Sequence, residues 1–423
     1  MCVFTAWPNA IPHENCQREE NRINWKAEDI ELLMEQADVD GLSLVKVHSH
    51  PGGYPEFSRM DDYSDAELLP TIQSWVEKNV PHGSAIMLPD GQMFGRYIWT
   101  DNQFKEFDLI NVVGADLKFW WSGEDRNALP MAASQDQAFG EGTTARLSRM
   151  RIGVIGASGT GSPHIEQLVR LGVADLVVVD DDFIEDRNLN RIIFATAAHA
   201  TAKVDKVVAA EEDILRKGLG TRVTPINKAV GAAQALRALS LCDVIFGCVD
   251  TVGGRFLANL LASYYNLAYF DTGILLDSEQ DGNRRGVIKD ILGTVHYLTP
   301  GGSSLWSRGV FSLADVAAES LHKRDPKAAA QQVQDKYIKG MAVRRPAVVS
   351  VNMFAAALAI NDFLARLHPY RRTPNKDIAS IEFSLGDIRL TVDEEMENDR
   401  LLSSVVGKGD CSPWLGLPEL GDL

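Results

Sequence analysis

The sequence predicts an α/β protein built from two units, and three observations carry that expectation. At 423 residues the chain exceeds what one ordinary hydrophobic core organises. Strand-type apolar runs alternate with stretches of helical period, at 45% hydrophobic and 24% charged residues, the balance of a folded protein. Mid-chain, a buried-type strand at 151–155 breaks into a glycine-rich turn and opens a helix, as a doubly wound parallel sheet begins. The expected layout is a mixed α/β unit over 1–122, a polar linker over 123–147, a Rossmann-like unit over 148–395 and a loosely held polar tail over 396–423.

In the first unit, Ile30, Leu33, Met34 and Ala37 fall on one helical face, so a helix is expected over 25–40, with Asn24 as N-cap and Gly41 as its stop. A short apolar strand over 42–47 then delivers His48 at its end. A loop rich in Gly, Pro and Asp follows, then a helix near 64–77 and strands near 84–88 and 92–99. In the second unit, a helix over 162–171 and a strand over 176–180 complete a strand-helix-strand unit. Further strands are expected at 243–249 and 268–271, and a buried helix at 346–366.

Bulk properties narrow the partners. A net charge of -16 argues against a nucleic-acid surface and an anionic membrane. No apolar run reaches the roughly 20 residues of a membrane span, and the first residues lack the pattern of a signal peptide. Five cysteines at 2, 16, 242, 248 and 411 form no C-x-x-C pair, so neither a zinc ribbon nor a disulfide framework is expected, and a reducing cytoplasm is.

Two motifs carry chemistry. The first is His48-Ser49-His50-Pro51 with Ser58 and Asp61 after it. Histidines one residue apart on a strand end point to the same face and suit one metal. Asp61 closes the set, and three protein ligands leave a fourth position for a water whose pKa the metal lowers. Ser58 is placed to donate to the oxyanion of a tetrahedral intermediate. The string resembles the JAMM (MPN+) metalloprotease motif, whose members cleave or trim ubiquitin-like proteins. The resemblance implies zinc on His48, His50 and Asp61, with Ser58 as oxyanion donor. That family places a general-base Glu on an upstream strand. Only 47 residues precede His48, and Glu14, Glu19 and Glu20 lie in a stretch without strand pattern, so none is assigned. The first unit is therefore expected to be N-terminally incomplete, or to bind zinc without efficient hydrolysis.

The second motif starts at Gly156-Ala-Ser-Gly159-Thr-Gly161, where backbone N–H groups at a helix N-terminus suit a phosphate. The spacing departs from the dinucleotide fingerprint G-x-G-x-x-G, and no G-K-[ST] follows, which excludes a P-loop. Separated blocks then appear in order: Asp180-x-Asp182, Asn188, Arg191, Lys206 with Lys203 competing, and Cys248-x-Asp250 with Arg255 and Asn259. Together they resemble the ThiF, MoeB and HesA adenylyltransferases and the ubiquitin-activating enzymes over about 130–395. The resemblance implies ATP on Gly156, Gly159, Gly161, Asp180, Asp182, Asn188, Arg191, Lys206, Asp250 and Arg255, with Asp250 holding Mg²⁺. Arg191 and Lys206 would offset phosphate charge, and Arg126 is a candidate to reach a partner subunit's phosphates. It also implies a homodimer and a ubiquitin-like or sulfur-carrier protein as substrate, with a conjugating enzyme's thiol, a sulfur donor or Cys411 as acceptor. The stretch 275–310 lacks a cysteine, Cys242 and Cys248 read as packing residues, and Cys411 lies in the polar tail.

Three functional readings follow. The first is adenylation of a carrier's terminal glycine, coupled to a zinc unit that processes or removes the carrier. The second keeps adenylation and makes the first unit a docking module. The third is an NAD-dependent oxidoreductase with an incidental His-x-His.

Overall fold

The computed structural model describes residues 10–19, 22–26, 28–123, 137–138, 140–280, 286–325 and 348–421. Arg126 and Glu20 lie outside the described residues. The chain opens on an antiparallel pair, β1 (Cys16–Glu19) and β2 (Arg22–Trp25), where the sequence showed no strand pattern. The helix Glu28–Asp40 follows and buries Met34 and Ala37, two of the four residues that predict it. β3 (Val45–Ser49) ends on the His-x-His segment. The helix Arg59–Trp75 starts five residues earlier than expected because Ser58 caps it in a reciprocal pair with Asp61. β4 (His82–Met87), β5 (Met93–Ile98) and β6 (Lys105–Glu106) complete a sheet of order β3-β4-β5-β6, in which β3 and β4 run parallel. Its small core joins Met34, Leu69, Ile72, Val76 and Ile98.

The next hairpin, β7 (Leu109–Val113) with β8 (Leu117–Trp121), corrects the expected boundary at 122. Leu117 and Phe119 are buried in the core of the second unit. The turn between the strands is tied there by three side chains. Tyr297 donates to the Gly114 carbonyl at 2.6 Å, Arg366 to the Ala115 carbonyl at 3.0 Å, and Asn375 to Asp116 at 2.7 Å. The helix Glu141–Leu147, expected as linker, also buries Leu147 in this core.

The second unit is one sheet of eight strands, ordered β11-β10-β9-β12-β13-β14-β15-β16. β9 (Arg151–Ile155), β10 (Asp175–Val179), β11 (Arg222–Ile226), β12 (Val244–Gly247) and the start of β13 (Ala268–Gln280) are parallel. β14 (Gly286–Leu298), β15 (Ser380–Ser384) and β16 (Arg389–Asp393) extend it antiparallel. Alternation sorts the central strands between two layers. Leu176 and Val178 face the helices Gly161–Arg170, Lys206–Lys217 and Val349–Leu367, whereas Val177 and Val179 face Ala233–Ser240 and Val252–Tyr264. This is a Rossmann-like α/β fold. β13 runs well past the four residues that the sequence marked, because its second half pairs with β14.

The tail is not loosely held. Trp414 is 1% exposed and sits with Leu402 and Leu415 in the second of these layers, where its Nε1 donates to the Tyr265 hydroxyl at 2.8 Å. Polar composition around a single tryptophan hid that anchor. Among the described residues no helix is long and apolar enough to cross a membrane.

Candidate functional site

The strand order reverses on either side of β9, so a crevice opens beyond the carboxyl ends of β9 and β12. The glycine turn at 156–161 lies there. Gly156 has φ +94°, and a Cβ at Gly161 would lie 1.7 Å from the Gly156 carbonyl oxygen, so no side chain fits either position. Asp180, at the end of β10, accepts from Ala157 N at 2.7 Å and from Asp182 N at 3.0 Å. It therefore holds the glycine turn to the adjacent strand.

Lys206 opens the helix Lys206–Lys217 and is 4% exposed. Its Nζ contacts Asp180 Oδ1 at 3.2 Å and Asp182 Oδ2 at 2.7 Å. Burial raises the Asp180 carboxyl above its usual range, and the Lys206 ammonium and the two backbone donors oppose that shift. Asp182 is 72% exposed at its side chain and stays open to a ligand. Lys203 does not compete, since it ends the preceding short helix with φ +50° and lies over the Phe183 ring. Arg191 sends its Cγ and Cδ across Gly159 and donates Nη1 to the Arg187 carbonyl at 3.0 Å. Asp250 is exposed just past β12. The structure thus brings Gly156, Gly159, Gly161, Asp180, Asp182, Arg191 and Lys206 to one turn.

Two expected nucleotide ligands have other work. Asn188 is buried, and its side chain accepts from Glu185 N at 2.9 Å to cap the turn Asp186–Asn188. Arg255 donates to the fully buried Asp271 at 3.1 and 2.6 Å, fixing the helix Val252–Tyr264 to β13. Asn259 likewise accepts from Leu305 N. Cys411 is not a mobile thiol: it is half-buried against the second layer and donates to the Pro413 carbonyl at 3.3 Å. Burial pushes the Cys248 thiol well up, as its reading as a packing residue requires.

His164, beneath the glycine turn, was not singled out by the sequence. Its Nδ1 donates to the Thr160 carbonyl at 2.8 Å, and burial lowers its pKa to about 4. The unfolded chain binds that proton more readily, so His164 contributes stability that is present above pH 6.5 and lost as pH falls towards about 4. His82 and His296, lowered by burial to about 4 and about 3, act in the same direction. A His164→Gln chain should therefore show a smaller drop in Tm between about pH 7.5 and about pH 5 than wild type. An unchanged drop would remove His164 from the acid response.

The first unit assembles a separate cluster. His48, His50 and Asp61 each offer a ligand atom, and these lie within 4.8 Å of one another. His48 Nε2 is 2.9 Å and His50 Nε2 3.3 Å from the Asp61 carboxylate. Among the described residues, Nδ1 of the half-buried His48 has no hydrogen-bond partner, and its Nε2 faces only the Asp61 carboxylate. His50 Nδ1 lies 2.9 Å from the Tyr54 carbonyl, which orients the ring and leaves Nε2 as the ligand atom. Burial lowers the His48 pKa, favouring the neutral imidazole that a metal requires. Burial alone would raise the Asp61 carboxyl, but the Ser58 donors and the two histidines hold it below its usual range. Ser58 donates both its backbone N, at 2.7 Å, and its hydroxyl, at 2.6 Å, to Asp61 Oδ2. Its hydroxyl is thus engaged by the Asp61 carboxylate.

Comparison with known proteins adds three findings. A family model described as "ThiF family" matches residues 133–358. The adenylyltransferase and sulfurtransferase UBA4 of Meyerozyma guilliermondii is 29% identical over 124 residues, covering 29% of this chain and 28% of that protein. The SAMP-activating enzyme E1 of Haloferax volcanii is 33% identical over 116 residues, covering 27% of this chain and 42% of that protein. The matched segment thus spans well under half of either relative. A crystal structure of E. coli MccB with ATP aligns at a TM-score of 0.48 and 15% identity, covering 66% of this chain and 75% of that one.

Proposed function

The chain belongs to the ThiF family, and on that premise we propose that its second unit uses ATP to adenylate the terminal carboxylate of a ubiquitin-like or sulfur-carrier protein. The observation that carries this reading is the buried Lys206, held by Asp180 and Asp182 at the edge of the glycine turn and accompanied by Arg191. The carboxylate oxygen bonds to the α-phosphorus, the bond to pyrophosphate breaks, and an acyl-adenylate forms. Negative charge moves onto the leaving pyrophosphate, and on this reading Lys206 and Arg191 are the cations that offset it; their position at the glycine turn supports that role. Asp182, exposed, is the carboxylate open to a ribose hydroxyl. Asp250 would hold Mg²⁺, which neutralises phosphate charge when bound. The names of the relatives, an adenylyltransferase and a SAMP-activating enzyme, support this substrate class. The acceptor is then a thiol or sulfur donor on another protein rather than the packed Cys411, and a homodimer is proposed by family analogy. The test is to incubate the chain with MgATP and a small protein ending in glycine, then add hydroxylamine. A terminal hydroxamate, formed only with ATP, is the expected product; its absence with every tailed candidate would sink the proposal.

For the first unit we propose a zinc site on His48, His50 and Asp61 of the JAMM type, acting on the same carrier. The convergence of His48 Nε2 and His50 Nε2 on the Asp61 carboxylate, with the His50 ring oriented by the Tyr54 carbonyl, fits that ion. A second reading makes the unit a docking module, and the engagement of the Ser58 hydroxyl by Asp61 favours it. Elemental analysis should find about one zinc per chain, lost in His48→Ala and in Asp61→Asn. Retained zinc in both variants would remove the ligand assignment. Cleavage of a carrier with a C-terminal extension separates peptidase from docking module.

A further inference from the structure

Asn352 sits in the first turn of the 19-residue helix Val349–Leu367, which packs against the helix opened by the glycine turn. It is 3% exposed, and among the described residues its Nδ2 has no hydrogen-bond partner. That nitrogen lies against Gly159: a Cβ there would stand 2.5 Å from it and 3.1 Å from Arg191 Cδ. A buried amide donor left unpaired is unfavourable, and the residues before and after it on this helix that share its burial, Val351, Ala355 and Ala356, are apolar. The donor and the helix N-terminus behind it converge on one edge of the glycine turn, beside the Arg191 stem, and both favour a negatively charged acceptor.

We propose that Asn352 is a nucleotide-binding residue, whose Nδ2 donates to a phosphate oxygen of the ATP seated on the glycine turn. This inference rests on the adenylation reading above. It assigns a phosphate contact to a helix almost 200 residues beyond the glycine turn in sequence. It also gives Gly159 a second reason to be glycine, since any side chain there would fill the space between Asn352 and the phosphate.

The test is calorimetric titration of the full chain, Asn352→Ala and Asn352→Leu with ATP and with adenosine. Loss of a hydrogen bond to a charged acceptor should weaken ATP about tenfold or more in both variants. Adenosine, which lacks phosphates, should bind all three chains alike. Asn352→Leu, relieved of an unpaired donor, should keep or raise the Tm of the free chain, which separates a ligand role from a structural one. Equal weakening of ATP and adenosine, or unchanged ATP affinity in the variants, would overturn the inference alone. A wild-type chain that binds no ATP would overturn both it and the adenylation reading.

Discussion

Lys206→Ala is expected to lower the rate of adenylate formation on the order of 100- to 1,000-fold, with little change in the affinity for the carrier protein. The reason is positional. Lys206 is almost fully buried, and its ammonium is held by Asp180 from β10 and by Asp182 just beyond it. On the adenylation reading, removing it would leave those carboxylates beside bound phosphates without a counter-charge and withdraw stabilisation where negative charge grows. Asp182 can hydrate when its partner is lost, because it is largely exposed, and Asp180 keeps its two backbone donors. The fold should therefore survive, which single-turnover kinetics on a folded variant would verify. Lys206→Arg is not expected to restore the rate, since a planar fork cannot take the place of a compact ammonium between two carboxylates. A Lys206→Ala chain as fast as wild type would remove this residue from the chemistry.

Arg366→Ala is expected to destabilise the second unit by about 3–5 kcal/mol, the cost of leaving a buried charge network without its centre. Arg366 is 1% exposed and pairs with Asp362 one helical turn away at 3.2 Å. It also donates to the carbonyls of Ala115, Asn375 and Ile378, and its guanidinium lies 3.8 Å from the centre of the Tyr297 ring. One side chain thus joins the helix Val349–Leu367, the segment before β15 and the turn between β7 and β8. Arg366→Lys should recover little, because one ammonium cannot reach three carbonyls in different directions. Denaturant unfolding would show the effect as a lower midpoint, and a shift within error of wild type would show the hairpin to be held by its apolar contacts alone.

How far the sequence reached follows from where the signal is local. Of the parallel strands, β9, β10, β12 and the start of β13 were legible because each is a short apolar run closed by a turn, and β9 carries the bounds its residues predict; β11, which mixes Arg222, Thr224 and Pro225 with its apolar residues, was not. The grouping of His48, His50 and Asp61 was legible because its residues come from one strand end and the first turn of the next helix, close together in sequence. What failed depends on contacts between distant segments. Nothing in residues 109–121 states that Leu117 and Phe119 pack with Leu147 and Phe363. Nothing in the tail states that Trp414 reaches Tyr265. Asn188 and Arg255 fall in the right motif, yet a buried cap and a buried ion pair engage them, which motif spacing does not distinguish from ligand binding. Asn352 carried no sequence signal at all, since a lone amide near a helix start is ordinary; only its unpaired nitrogen against Gly159 marks it.

Activation of a carboxylate with ATP is the reaction proposed for this chain, and ATP–pyrophosphate exchange reads that step itself. With Mg²⁺ and a carrier protein ending in glycine, wild type should move label from pyrophosphate into ATP. The exchange should require the terminal glycine and nearly vanish in Asp250→Ala and Lys206→Ala. Absence of exchange with any tailed carrier, from a chain that nonetheless binds ATP, would show that it does not adenylate such a carboxylate.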